Sequence, residues 1–392
     1  MDICYPSDGK KRIRSSVKAV WRLSMAAVKY TEGVFPPDRL DWEGLVPSIG
    51  SANAAVARYD AILSAIPNPK LFLSPLTTHE AVLSSRIEGT QATTSEVLEF
   101  DAHPDRLPMD AEKREDISEI RNYRRAMEQA STLLKDLPLC RRVLLALHAT
   151  LLDGVRGQGR SPGNFRTISN WIGPAGCSIE EATFVPVTAD KLPSGLDRWE
   201  AYLHQDAPDR LVQLAVVHAE FEALHPFLDG NGRIGRMLVP LFMAEKGMIQ
   251  APVFYISDYL NNNREEYYER LLAVSRDGDW NGWCRFFLRA IRLQAETNLN
   301  KANEILVLYK NIKARVAEIT HSSHGIAAFD WIFARPVFRS SDFVQASSVP
   351  KPTAARLIKQ MLASGVIEEL HPGRGPVSAI YRFPALMQIV DR

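Results

Sequence analysis

The stretch His225-Pro226-Phe227-Leu228-Asp229-Gly230-Asn231-Gly232-Arg233-Ile234-Gly235-Arg236 decides how this 392-residue chain is read. Just upstream, Leu211, Leu214, Ala215, His218, Phe221 and Leu224 recur at helical spacing until Pro226 ends the helix, so His225 is expected at a helix exit facing a loop. Asp229-Gly230-Asn231-Gly232 can turn tightly because glycine permits positive φ, and the next helix, predicted to begin near Arg233, points its unpaired N–H groups back at that loop. Backbone donors, a positive helix end and two arginines one turn apart form an anion site, in which Arg233 and Arg236 can each grip a phosphate. Asp229 adds a hard oxygen suited to Mg²⁺, and an imidazole beside the assembly can take a proton from an attacking hydroxyl.

A single histidine at a helix end is most often structural, and Asp-Gly-Asn-Gly by itself is most often a surface turn. Their fixed order, followed by the two arginines, is what points to phosphate chemistry. No G-x-x-x-x-G-K-[ST] segment exists to support a rival phosphate loop.

Residues 225–236 resemble the Fic family, whose core motif is H-P-F-x-D/E-G-N-G-R-x-x-R, and every fixed position is met. The resemblance implies a helical core that transfers AMP from ATP to a Ser, Thr or Tyr hydroxyl of a target protein. In that reading His225 is the general base and Asp229 holds Mg²⁺ or Mn²⁺. The amides of Gly230, Asn231, Gly232 and Arg233, with the Asn231 side chain, cradle the α- and β-phosphates. Gly235 belongs to the same phosphate-binding segment, and Arg236 takes the γ-phosphate. Phosphate-transferring relatives carry Lys where this chain has Gly232, which favours AMP transfer. Phe227 is expected to anchor the loop in the core.

Further upstream, Thr77-Thr78-His79-Glu80 reads as a capping box opening a helix that closes at Gly89. Glu88 alone would pass for an ordinary surface carboxylate. However, Ser84-Ser85-Arg86-Ile87-Glu88-Gly89 matches the family's inhibitory pattern [S/T]-x-x-x-E-[G/N], which implies that Glu88, with Ser84, restrains the site by pairing with Arg236. A nucleotide bound without that arginine would sit misaligned for attack.

The stretch between Gly157 and Pro193 is rich in Gly, Pro and Asn, and Phe165–Ile168 and Ala182–Val185 read as two short strands. Asn164-Phe165-Arg166, Asn170-Trp171-Ile172-Gly173 and Phe184-Val185-Pro186 resemble the family's flap, in which Phe184 and Val185 would help clamp a target segment as an added strand; a plain surface hairpin fits the same residues. Tyr267 and Tyr268 stand where related proteins place adenine-pocket aromatics, although core packing is an equal alternative.

The whole chain reads as mainly α: a Fic-type helical bundle with a β-hairpin flap, plus a C-terminal winged helix-turn-helix domain. The divisions are an N-terminal arm over 1–35, carrying Lys10, Lys11, Arg12 and Arg14 and suggesting no chemistry; a regulatory region over 36–135; the catalytic core over 136–300; and a linker helix with the winged helix over 301–392. In the tail, Ala327–Arg335, Ser340–Ala346 and Pro350–Ser364 have helical spacing, and Val366–Leu370 and Ala379–Phe383 flank the turn 371–376. Lys351, Arg356 and Lys359 give the third helix a basic face, which suits DNA, whereas such modules also dock proteins.

Net charge is +1 with 24% charged and 46% hydrophobic residues, which excludes a disordered chain or a polycation. Four scattered cysteines exclude a metal ribbon or a disulfide scaffold. The early apolar stretch is broken by Lys18, Arg22 and Lys29, unlike a signal peptide, so a cytoplasmic location is expected. Expected partners are ATP, a target protein, the chain itself as acceptor, DNA at the tail and a second copy as a homodimer; no membrane is expected. Two other functions fit the same residues: a hydrolase that removes AMP, and a DNA-bound regulator with nucleotide as effector.

Overall fold

The structure is a computed structural model and describes residues 2–4, 27–66, 74–104, 110–375 and 377–392. The basic arm from residue 5 to 26, Pro67 and Pro69, which punctuate the first helical region, and Pro376 of the tail turn lie outside the described residues.

In chain order the elements are β1 (Asp2–Cys4), β2 (Val28–Lys29), α1 (Trp42–Ala65), α2 (Ser74–Ile87), α3 (Thr94–Ala102), α4 (Ala111–Leu133) and α5 (Arg141–Leu151). There follow β3 (Trp171–Gly173), β4 (Phe184–Val185), α6 (Leu192–His204), α7 (Arg210–Leu224), α8 (Asn231–Glu245), α9 (Ser257–Asn262), α10 (Arg264–Asp277) and α11 (Trp280–Thr320). The tail holds α12 (Gly325–Ala334), β5 (Val337–Arg339), α13 (Ser340–Ala346), α14 (Lys351–Ala363), β6 (Glu368–His371), β7 (Ile380–Arg382) and α15 (Pro384–Val390). The fold is mainly helical with two small sheets, and no helix among the described residues is long and apolar enough to cross a membrane.

Two compact units divide the chain: Met1–Ala54, Arg125–Gly247 and Tyr259–Leu293 form one, and Ala55–Arg124, Met248–Asp258 and Gln294–Arg392 the other. At the centre of the first lies α7, buried at every position from Leu211 to Phe221, as befits a helix apolar on all sides. Its polar residues are therefore satisfied internally. Gln213 donates to the carbonyls of Tyr202 and Gln205 at 2.8 and 2.7 Å. His218 lies 2.9 Å from the Tyr267 hydroxyl and 3.0 Å from the Gly235 carbonyl, which ties α7 to both α10 and α8. Asp209 caps the helix by accepting from the Val212 amide at 2.9 Å, a bond of the kind that satisfies a free helix-end donor.

One sheet runs in the order β1-β3-β4-β2. The hairpin β3–β4 was expected to offer open edges to a partner; instead the chain's own N-terminal strands take both. β1 runs antiparallel to β3 and β2 parallel to β4. Two short pieces of the arm read as chemically silent, Asp2–Cys4 and Val28–Lys29, therefore join the flap sheet. β2 is firmly built in: the Tyr30 hydroxyl donates to buried Glu220 at 2.7 Å and Thr31 to the Ser275 carbonyl at 2.7 Å. The other expected strand, Phe165–Ile168, does not form, because Arg166 turns inward and the segment wraps against the loop at 225–227.

In the second unit the expected capping box at Thr77 is corrected. α2 begins three residues earlier, at Ser74, so Thr77 and Glu80 lie inside it. Glu80 accepts from the Ser257 amide at 3.0 Å and from its hydroxyl at 2.6 Å, while Thr77 meets the Tyr255 hydroxyl at 2.9 Å. A capping box does exist nearby, formed by Thr93 and Glu96 at α3. The tail helices and strands fall close to where periodicity set them, with an additional strand β5 completing a sheet ordered β5-β7-β6. Ala102 of α3, Val337 and Ile380 form an apolar cluster that packs α3 on this sheet.

Burial makes imidazolium costly at three places. It lowers His148 and His79 to about 4 and His218 to about 3, from 6.5. Glu220 works in the opposite sense, since burial raises its carboxyl to about 8. Between pH 6.5 and 4 the unfolded chain binds more protons at the three histidines, so their contribution is fully present above pH 6.5 and is lost as pH falls. With three imidazoles against one carboxyl, the urea midpoint should fall from pH 6.5 towards pH 4.5; a midpoint that holds or rises over this range would contradict their neutral burial.

Candidate active site

The segment 225–236 joins α7 to α8, both in the first unit. His225 closes α7 in the left-handed region, φ 47° and ψ 60°, a conformation that costs a non-glycine residue roughly 1–2 kcal/mol and must be held by its surroundings. Arg166, 3% exposed, supplies the hold. Its Nε donates to the His225 carbonyl at 2.9 Å, its Nη2 to Leu224 at 3.2 Å and to Val187, and its Nη1 to Ile168 at 3.1 Å. Its own amide donates to the Pro226 carbonyl at 2.9 Å. The His225 Nδ1 lies 3.3 Å from the Glu222 carbonyl, so donation there leaves the lone pair on Nε2, the arrangement a base requires.

Phe227 is fully buried, as expected of an anchor. His148 of α5 stacks on it with centroids 3.8 Å apart and planes at 14°. The Gly163 amide donates to His148 Nδ1 at 3.0 Å, so the ring proton sits on Nε2 and is donated to the Asp229 carbonyl at 3.0 Å. A neutral imidazole thus braces two loop residues. His148 carries no motif, and only its position on the apolar face of α5 hinted at anything beyond packing.

Asn231 differs from expectation in its side chain. Its Oδ1 accepts from the Phe227 amide and its Nδ2 donates to the Phe227 carbonyl, both at 2.8 Å, so this amide shapes the loop rather than reaching outward. Asn170 adds a further donor to the same carbonyl at 3.2 Å. α8 begins at Asn231, two residues before the expected start, with Gly230 as its N-cap at φ 78°. A Cβ at Gly230 would also come within 3.2 Å of Leu151. The first-turn amides of α8 face the loop and give it the positive helix end that an anion needs.

Arg233 and Arg236 are both buried, at 4% and 1% exposure. Arg233 bonds Asp229 at 3.2 Å, and the Asp229 side chain is one third exposed. Gly157 lies so close that a Cβ there would approach the Asp229 carboxylate to 2.7 Å. No group of three or more His, Cys, Asp or Glu residues suited to a metal occurs among the described residues. A single partly exposed carboxylate fits the way Mg²⁺ is held when substrate phosphates and water complete its shell. Gly235 packs helix on helix: a Cβ would fall 2.1 Å from the Glu222 carboxylate and 3.4 Å from Phe221, so its place in the motif follows from α7–α8 approach.

Tyr267 is 1% exposed, bonded to His218 and ringed by Trp283 and Phe286, which makes it a core residue. Tyr268 is half-buried beneath the Arg264 guanidinium. Phe184 is buried and Val185 half-buried in the flap strand β4. In the second unit, Ser84 is buried within α2, and Glu88 is exposed in the turn just after the helix, before Gly89 at φ 111°.

Comparison with known proteins bears on this site directly. Residues 46–132 match the Fic/DOC family N-terminal domain, and residues 138–243 match the Fic/DOC family domain. A protein adenylyltransferase Fic from Drosophila grimshawi is 27% identical over 210 residues, which is 51% of this chain and 38% of that protein. Its Drosophila virilis counterpart aligns to the same extent. The chain therefore spans well under half the length of these relatives. Among solved structures, a Fic family protein from Desulfovibrio desulfuricans G20 superposes with a TM-score of 0.57 at 21% identity, covering 89% of this chain and 98% of that one. With both domains matched in tandem and the fold shared, the chain is a Fic/DOC family protein carrying the family's N-terminal domain, distantly homologous to the protein adenylyltransferases called Fic.

Proposed function

We propose that this protein is an adenylyltransferase that moves AMP from ATP onto a Ser, Thr or Tyr hydroxyl of a protein, with the chain itself among the acceptors. The observation that carries the reading is His225 held at a helix exit with Nδ1 turned to a carbonyl, directly ahead of the glycine-capped N-terminus of α8. The acceptor oxygen attacks the α-phosphorus and its proton passes to His225 Nε2. The bond to the bridging oxygen of the β-phosphate breaks, and pyrophosphate leaves. First-turn amides of α8 and the guanidiniums of Arg233 and Arg236 neutralise the phosphates. Asp229 is the residue that would hold Mg²⁺ or Mn²⁺, which when bound supplies charge neutralisation on the phosphate oxygens. Tyr268, rather than the core residue Tyr267, is the aromatic left to border the adenine.

Glu88 is assigned as a brake on nucleotide alignment. Support comes from the Ser84–Gly89 pattern, which lies inside the segment matched to the family's N-terminal domain. The tail is assigned as a winged helix that contacts DNA through Lys351 and Lys359, both exposed on α14. Its support is the helix and strand order and the basic face.

Three outcomes are expected. His225→Ala should lower transfer of labelled AMP by about 100-fold or more while leaving the melting temperature in place; retained transfer would remove His225 as base. Glu88→Gly should raise incorporation on the order of 10- to 100-fold through better alignment of the α-phosphate, and unchanged incorporation would remove the brake. In the full-length chain, Lys351→Ala with Lys359→Ala should weaken duplex binding and flatten its dependence on salt, whereas a full-length protein that shifts no duplex even at low salt would end the DNA assignment.

A further inference from the structure

We propose that Asp2–Cys4 is a resident occupant of the flap edge where an extended acceptor segment adds as a strand, so that a target must displace this strand of the chain itself. This rests on the reading of the protein as one that modifies other proteins.

Both outer strands of the flap sheet are short, and they join it on opposite sides. β2 is fastened by Tyr30 on Glu220, by Thr31 on the Ser275 carbonyl and by the buried Phe35. β1 joins β3 through three residue pairs: Asp2 with Gly173, Ile3 with Ile172 and Cys4 with Trp171. Three pairs at a sheet edge make a weak, local attachment, and it acts intramolecularly at the high effective concentration of a tether. The edge beneath it is preformed without β1. The Thr183 amide donates to the Ile172 carbonyl at 2.8 Å, the Trp171 indole donates to the Cys177 carbonyl at 3.0 Å, and Trp171 and Ala182 form their own small core. Gly173 has no space for a side chain, because a Cβ there would fall 2.6 Å from Cys177 Sγ.

The edge also leads to the site. Asn170, immediately before β3, donates to the Phe227 carbonyl, and Arg166 grips His225, so a strand on β3 is registered against the loop that carries the base. Main-chain bonds of an added strand are blind to sequence, so the ladder that accepts Asp2–Cys4 accepts any extended segment that can compete for it. While β1 is seated, apparent affinity for an incoming segment is reduced by the fraction of chains with the edge open.

The test uses full-length protein, no nucleotide, and a fluorescent peptide of residues 1–10 as probe, so that its failure is separate from failure of AMP transfer. Ile172 turns its carbonyl to β4, so the β1–β3 ladder runs through the flanking pairs, and Cys4→Pro, which removes the backbone donor facing Trp171, should tighten probe binding by about 10-fold or more over the unaltered chain. In a Cys4→Ser background, Ile3→Cys with Ile172→Cys should form a disulfide between residues 3 and 172 on oxidation, bind no probe, and recover binding on reduction. The proposal is overturned if that disulfide does not form, if the cross-linked chain binds the probe as well as the reduced one, or if Cys4→Pro leaves probe binding unchanged.

Discussion

A buried guanidinium bonded to four backbone carbonyls holds the His225 turn in place. Arg166 reaches Leu224 and His225 at the end of α7, Val187 beyond the flap and Ile168 on its own segment, so one planar group fixes the relative position of three stretches of chain. Each bond is charge-assisted, and the fork geometry leaves little freedom. Without that hold, a histidine in the left-handed region would relax and carry its ring away from the head of α8.

Around this point the loop is braced from beneath by neutral polar groups. His148 stacks on Phe227 and donates to Asp229, while Asn231 and Asn170 occupy both polar groups of the Phe227 backbone. Such a site is preorganised: the donors for an anion are set before any substrate arrives, which is where electrostatic stabilisation of a transition state draws its strength. The cost at the loop is a histidine, His148, kept uncharged by burial.

The same economy links the flap to the loop. Arg166 and Asn170 stand at the root of β3, and the N-terminal strands close both sides of the hairpin. A sheet edge left bare would invite any extended chain, and covering it with a short tethered strand keeps the edge protected yet exchangeable. The two proposed restraints differ in kind, one acting on nucleotide alignment and the other on acceptor entry.

Much of this was legible in residue order. The twelve residues from His225 to Arg236 announced a helix exit, a glycine turn and an anion-binding helix start, because these depend on neighbours within one or two turns. The tail elements were likewise readable from local periodicity. What only tertiary structure decided rests on partners far apart in the chain. Arg166, read as a strand residue, is a clamp because carbonyls 58 and 59 residues away converge on it. Tyr267, left open between adenine platform and core packing, is core because its hydroxyl meets His218, 49 residues upstream. Asp2–Cys4, within the arm read as inert, pairs with a strand far along the chain, at Trp171–Gly173. Sequence by itself determined the local turn and the helix start that follows it; the fold determined which distant residues hold that turn and which strands flank the flap, because long-range hydrogen bonds leave no periodic trace in the chain.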